Sequence, residues 1–442
     1  MTQVSSQTEL RAALLAQESE IQVISDFEVS AQQTITFPLL LHSAPAGPVH
    51  TLSKAAGFSG SLLRVSGGGA LTLERLILDG SAAGSYLENP ANRTLVQAAG
   101  GSVHLGSGAA LQNNSSYQEG GGLYLSGDAS YVNTLLMDGD AVIRGCNSRT
   151  SGGGLMAALR NNGDRVRLEG EAVIERNTAA NGAGVYLRSY LAEVGGALSI
   201  GGRVQIRNNQ ATGNGGGIYC SSFSAGGGAA LSLTVEENVE VASNQAASGG
   251  GIYFYSANPG DRLILAGPIR IEGNITTGYG GGVFLSAPRD SALLSIQGAS
   301  ITNNRAGNGG GVYLRTTAGG ALEVAGQAVI SGNEAVGAAS SAGGGFWIQN
   351  VSGTLDAVLT DASLLSNRAA GNGGGLFLSD SGVVGLRMSG CTISQNMAGA
   401  SGGGVYLIER GSTAGTLDMD GVIISGNGTG RLGGGLYLDA GG

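Results

Sequence analysis

A short glycine cluster returns along this chain at nearly constant spacing, and no other feature restricts the fold so strongly. GNGGGIYC occupies 213–220, GNGGGVYL 307–314 and GNGGGLFL 371–378. The glycine directly before the apolar trio is Gly122, Gly154, Gly184, Gly217, Gly251, Gly282, Gly311, Gly345, Gly375, Gly404 and Gly435. These are eleven copies, separated by 29 to 34 residues. A period of about 31 residues marks a repeat architecture, in which no unit buries its apolar face alone and each stacks on the next.

A second signature sits upstream of each cluster: an aliphatic residue followed three positions later by Asn. ITNN (301–304), ISGN (330–333) and ISQN (393–396) are examples. The Asn column runs Asn114, Asn177, Asn209, Asn244, Asn274, Asn304, Asn333, Asn367, Asn396 and Asn427, with Cys146 standing in the second copy. Alternating stretches such as ALEVAG (321–326) lie between the signatures. Each copy thus carries three short apolar pieces that alternate with period two, which reads as strands. None is long enough for a helix, so helical repeats of similar period fail. Leucine-rich repeats are shorter and lack the glycine corner. The pattern predicts a right-handed parallel β-helix with three short strands per coil. At ~4.8 Å per coil, eleven coils span roughly 50 Å.

In this reading the glycines make a sharp corner that tolerates positive φ and close stacking. The Asn column forms a second corner, where side-chain amides bond to backbone and to the Asn of the next coil. Residues 1–20 read as an N-terminal cap: Ser6 followed by Glu9 resembles a capping box, and Leu10, Ala13, Leu14 and Gln17 give an apolar helix face. Residues 21–109 are irregular entry coils, and 110–442 the regular array. The array reaches GGGLYLDAGG with no change of composition, which predicts that the chain is part of a longer polypeptide.

Charge narrows the partners. The net charge is −9, and Lys54 is the only lysine, so the clustered cations that a nucleic-acid surface needs are missing. Charged residues are only 12% of the chain, about half the usual share. No apolar run approaches the ~18 residues of a membrane span, so no membrane insertion is expected of this segment. The three cysteines, Cys146, Cys220 and Cys391, are far apart and form no CxxC pair; they read as buried small side chains.

The paired signatures GGG-[VIL]-[YF] and IxxN resemble the GGA[ILV] and FxxN repeats of the chlamydial polymorphic outer-membrane proteins. Here Gly usually replaces the family's Ala, and Ile or Leu its Phe. The resemblance implies a bacterial β-helix displayed at the cell surface or outside the cell, adhesin-like, with glycans or host or neighbouring surface proteins as partners.

Three sets of residues bear on chemistry: the glycine clusters, the histidines and the acids. The glycine clusters are not phosphate loops, because no GK[ST] follows them. The histidines, His42, His50 and His104, all precede the regular array, which leaves the array without one for a triad or a metal site. Many pectin-degrading lyases and hydrolases are right-handed β-helices that work with clustered Asp and Ca²⁺. The nearest counterpart here is Asp138 and Asp140 above Glu169 and Glu171, which alignment brings to one corner as a candidate Ca²⁺ site. Arg203 aligns with the same column and offers a neutralising partner instead.

The third feature is the middle residue of the apolar trio. It is Tyr124, Met156, Tyr186, Tyr219, Tyr253, Phe284, Tyr313, Trp347, Phe377, Tyr406 and Tyr437, taking ten of the chain's 22 aromatic residues. With the flanking aliphatics inward, this column points out. It either stacks rung on rung to stiffen the solenoid or offers a contact surface centred on Tyr253, Phe284, Tyr313, Trp347 and Phe377. Three readings of function follow: a non-enzymatic adhesin-like binding or display scaffold, a polysaccharide lyase or hydrolase, and a structural stalk.

Overall fold

The computed structural model describes residues 1–80, 89–127, 130–190, 197–222, 230–289, 292–411 and 415–440. The chain divides into two compact units, Met1–Thr212 and Gly213–Gly442. Each is a parallel β-solenoid. No helix among the described residues is long and apolar enough to cross a membrane.

The first unit opens with helix α1 (Gln7–Leu15). Ser6 caps it by accepting the Glu9 N–H at 3.3 Å. The Glu9 carboxylate reaches back to the Ser5 N–H at 2.6 Å, one residue beyond the partner of a standard capping box. Leu10, Ala13 and Leu14 are buried against the strands Thr2–Val4, Phe27–Val29 and Gln33–Ile35. Gln17 does not extend this apolar face; it lies past the helix end with φ 56°.

The regular coil is clearest in the second unit. The turn Gly309–Gly311 leads into Val312–Thr316, then Gly319–Ala325, Val329–Ser331 and Glu334–Ala335. Each strand pairs in parallel and in register with its copy one coil on, for example Tyr313 opposite Trp347 and Ile330 opposite Leu364. A coil therefore has three faces but four strands, one more than the sequence pattern suggests. The extra strand comes from splitting one face. In the first unit the long strand Val96–Leu105 pairs with both Leu123–Ser126 and Thr134–Met137, so these two columns are one face that a loop interrupts in later coils. Val312, Leu314, Leu322, Val324, Ile330 and Ala335 point inward and are buried, each beneath its copy in the next coil.

The three glycines of one corner do different work. Gly309 adopts φ +60°, which L side chains rarely take. A Cβ on Gly310 would lie 2.5 Å from the Gly344 carbonyl oxygen, and one on Gly311 2.7 Å from that of Gly345. The first glycine turns the chain, and the other two let the next coil close down.

At the corner before the two-residue strand Glu334–Ala335 and its copies, the Asn side chains form a ladder. Asn304 Oδ1 accepts from both the backbone N–H and the Nδ2 of Asn274, each at 2.9 Å. Its own Nδ2 donates to Asn333 Oδ1 at 3.0 Å and to the Ile271 carbonyl at 2.9 Å. Ile271 is the aliphatic residue three before Asn274, so the IxxN spacing sets both partners of a rung. Asn333, Asn367, Asn396 and Asn427 donate in the same way to Ile301, Ile330, Leu364 and Ile393. In the first unit Asn177 and Asn209 repeat the pattern. Cys146 keeps the backbone bond to Asn177 Oδ1 at 2.9 Å but has no amide to pass on. All three cysteines are buried and free.

The residue just before each ladder position turns left-handed. Asn113, Arg176, Asn208, Ser243, Asn303, Ser366 and Gln395 have φ between 53° and 57°, and Gly145, Gly273, Gly332 and Gly426 between 61° and 65°. A fully buried amide that meets all its partners stabilises this bend, whereas an orphaned one costs ~1–3 kcal/mol. Asn304→Ala strands the Asn274 N–H groups and the Ile271 carbonyl together. Its expected cost is about 2–4 kcal/mol, read as a lower denaturant midpoint with secondary structure retained in the folded state.

Candidate binding face

The aromatic column of the second unit lies on the outer side of the first strand of each coil. The 4.8 Å strand spacing brings successive rings to stacking distance. Centroids are 4.9 Å apart for Tyr219 and Tyr253, 4.6 Å for Tyr253 and Phe284, and 5.1 Å for Phe284 and Tyr313, all near parallel. The stack resumes from Phe377 through Tyr406 to Tyr437 at 5.3 and 5.1 Å. Trp347 breaks it: its ring is tilted 57° from Tyr313 and 72° from Phe377.

The cause lies two coils earlier. Tyr279 stands in the turn GYGGG, where the turns of Gly307–Gly311 and Gly371–Gly375 carry Asn308 and Asn372. Those asparagines accept the N–H of Ala342 and Ser401, each at 2.9 Å. Tyr279 instead lays its ring over the column, 4.8 Å from Tyr313 and 6.4 Å, edge-on, from Trp347. Phe284 and Tyr313 end up only 7% and 4% exposed, whereas Tyr279 is 42% exposed. The column expected to form an open outward stripe is therefore covered at Phe284 and Tyr313. Tyr253, Trp347 and Phe377 stay half-buried. Sequence reasoning missed Tyr279, although the departure from GNGGG is a visible signal.

Polar partners accompany the rings. Tyr313 Oη donates to Gln349 Oε1 at 2.8 Å, and Tyr406 Oη to Asp439 Oδ2 at 3.2 Å. Burial raises the Tyr313 pKa and pushes that of Tyr253 up to about 12. The Trp347 indole N–H is buried and has no partner among the described residues. In the first unit Met156 and Tyr186 of the same column are buried. There the Arg160 guanidinium sits 4.5 Å over the Tyr190 ring, and Arg188 5.9 Å from Tyr186.

The four acids expected to form a Ca²⁺ corner are committed to separate partners. Asp138 Oδ1 meets His104 Nε2 at 3.0 Å, and Asp140 Oδ1 accepts the Gly108 N–H at 2.7 Å. Glu169, just past the strand end, pairs with Arg167, and Glu171 with Arg203 at 2.8 Å. Among the described residues no three His, Cys, Asp or Glu side chains converge as metal ligands. The register aligns these residues in sequence, but each side chain swings to the nearest opposite charge or free N–H. The histidines all lie on strands of the first unit, and His42 and His50 face Glu20 and Asp26 at 3.3 and 3.2 Å.

Another polar feature was not legible in the repeat. Asp164 and Asp261 are fully buried where the second strand of a coil begins. Asp164 accepts the N–H groups of Asn133, Arg160 and Asn161 at 2.7–3.0 Å. Asp261 accepts from Leu231 and Asn258 N–H and from Ser222 Oγ. Each carboxylate staples a loop to its coil.

A family model described as a right-handed β-helix region matches residues 238–428. The coils described above have the right-handed β-helix fold that this family model names. Its repeats resemble those of the polymorphic membrane proteins, since the model of the Chlamydia polymorphic membrane protein repeat matches residues 203–221. That match holds Asn209 of the ladder, the corner Gly215–Gly217 and Tyr219 of the aromatic column. No curated protein and no solved structure matches the chain.

Two measurements check this description of the β-helix. Trp347 is the only tryptophan, so its fluorescence reports on the column alone; Tyr279→Ala is expected to shift the emission to the red as water reaches the indole. Burial raises the Asp261 pKa above the ordinary carboxylate value. The folded state therefore binds this proton more tightly than the unfolded one, and the contribution of Asp261 to stability falls as pH rises from about 4 through the raised pKa. The deficit of Asp261→Asn relative to the native chain is expected to shrink between pH 4 and pH 7 in urea titrations.

Proposed function

We propose that this chain is a surface-displayed, non-enzymatic β-helix that binds through one side of its coils, in the manner of an adhesin. The observation that carries the reading is the Chlamydia membrane-protein repeat at 203–221, set in a solenoid of near-uniform coils. The dispersal of Asp138, Asp140, Glu169 and Glu171 onto separate partners supports it against a lyase or hydrolase. The ligand is a glycan or a protein of a host or neighbouring surface. Tyr279, Trp347 and Phe377 form the contact point. Tyr279 is well exposed, and the turned indole beside it offers an edge and a face to a sugar ring. Phe284 and Tyr313 support these rings from beneath.

The test is binding of the whole chain to a glycan panel and to intact host and bacterial cells. Tyr279→Ala and Trp347→Ala are each expected to weaken binding roughly tenfold or more, as aromatic anchors do, with circular dichroism unchanged. Equal binding by both variants would leave a stiffening role alone and point to a stalk. Release of unsaturated sugars from pectin or alginate with Ca²⁺ present would overturn the non-enzymatic reading.

A further inference from the structure

Lys54, the only lysine, is 5% exposed. It ends the strand His50–Lys54, whose Ser53 stands opposite Asp79 of the next coil, so Lys54 runs beside Gly80. The amine Nζ donates to the Arg93 carbonyl at 2.8 Å, and the Asn114 Nδ2 donates to the same oxygen at 3.0 Å. Among the described residues no carboxylate pairs with Lys54, and the Arg93 carbonyl is its one hydrogen-bond partner. An ammonium has three N–H donors to satisfy; one acceptor suits a neutral amine better. Burial pushes its pKa down to about 7, with Cys146 pulling upward and Arg93 downward. A large part of the amine is then unprotonated at neutral pH, with a lone pair to share.

Lys54 lines a cavity of about 150 Å³ together with Ala56, Phe58, Asn89, Asn92 and Asn114, and Asn114 shares the amine's acceptor. That volume suits a molecule of a few non-hydrogen atoms, since a water takes roughly 30 Å³ in the liquid. Besides Lys54, the lining groups among the described residues are amides, the Ser115 hydroxyl, alanine methyls and a ring, with no formal charge to favour an acid or a cation.

The geometry points to Lys54 as a covalent capture site for a small uncharged aldehyde, held in this cavity as an imine. The nitrogen lone pair forms the C–N bond as the carbonyl pair moves to oxygen, and a proton passes from nitrogen to that oxygen. The resulting carbinolamine loses its hydroxyl together with the remaining N–H proton as water, leaving C=N. No electrons are gained or lost overall.

A single-lysine chain makes the test direct. The full chain carrying Arg64→Lys, an exposed comparator, is incubated at pH 7 with glycolaldehyde and cyanoborohydride, and adducts are located by peptide mass spectrometry. Lys54 is expected to be modified at least tenfold faster than the comparator in the folded chain, and at the same rate as the comparator in urea. In a parallel reaction pyridoxal 5′-phosphate, larger and anionic, is expected to label the comparator and spare Lys54. Native Lys54 that reacts no faster than the comparator overturns the proposal. So does labelling of native Lys54 by pyridoxal 5′-phosphate, which would mean the cavity does not select its guest.

Discussion

Everything in this molecule depends on how closely one coil can sit on the next. A parallel ladder holds backbones ~4.8 Å apart, and at two corners that spacing leaves little choice of residue. Where the chain turns into the first strand, the next coil's carbonyl comes within 2.5 Å of any Cβ on Gly310. Where it turns out of the second face into the third, a polar group must be buried and every bond it offers must be met. Asn meets this because one amide oxygen can accept twice and one amide nitrogen can donate twice. Asn304 does all four, to Asn274, Asn333 and Ile271.

The same spacing makes the aromatic column. Rings projecting from in-register strands have to lie about 5 Å apart, which is a stacking distance whether or not anything binds there. Stacking is therefore the base state of the column, and it explains why Tyr and Phe interchange freely in it. What needs a separate cause is Trp347, where the stack turns, and the cause is Tyr279.

Features that repeat were legible in the sequence, because eleven copies average out local accidents. The glycine corner, the Asn column, the strand faces and the helix over Leu10, Ala13 and Leu14 all come from such patterning or from a cap signal. The left-handed residue before each ladder Asn was not legible. Its identity runs through Asn, Arg, Ser, Gln and Gly, since the ladder enforces the turn and the side chain points to solvent. The acid column was misread for the opposite reason. Register puts Asp138 over Glu169, but a long side chain chooses its partner after the backbone is placed, and Arg167 and His104 were closer. The covering of Tyr313 was missed because burial depends on a residue outside its own column.

Chemistry in such a fold is most easily found where the repeat is broken. A rung that matches its neighbours has already satisfied its polar groups and filled its space, so it has nothing left to offer a ligand. Tyr279 takes the place of an Asn that would have bonded the next coil, and its ring faces outward instead. Cys146 stands in the ladder without an amide, and burial pushes its thiol up to about 12, which makes it an inert filler rather than a nucleophile. Lys54 lies before the ladder begins, among coils whose corners are not yet regular, and there a buried amine can keep a cavity beside it. The regular array supplies rigidity, and the exceptions to it supply whatever groups the molecule presents to others.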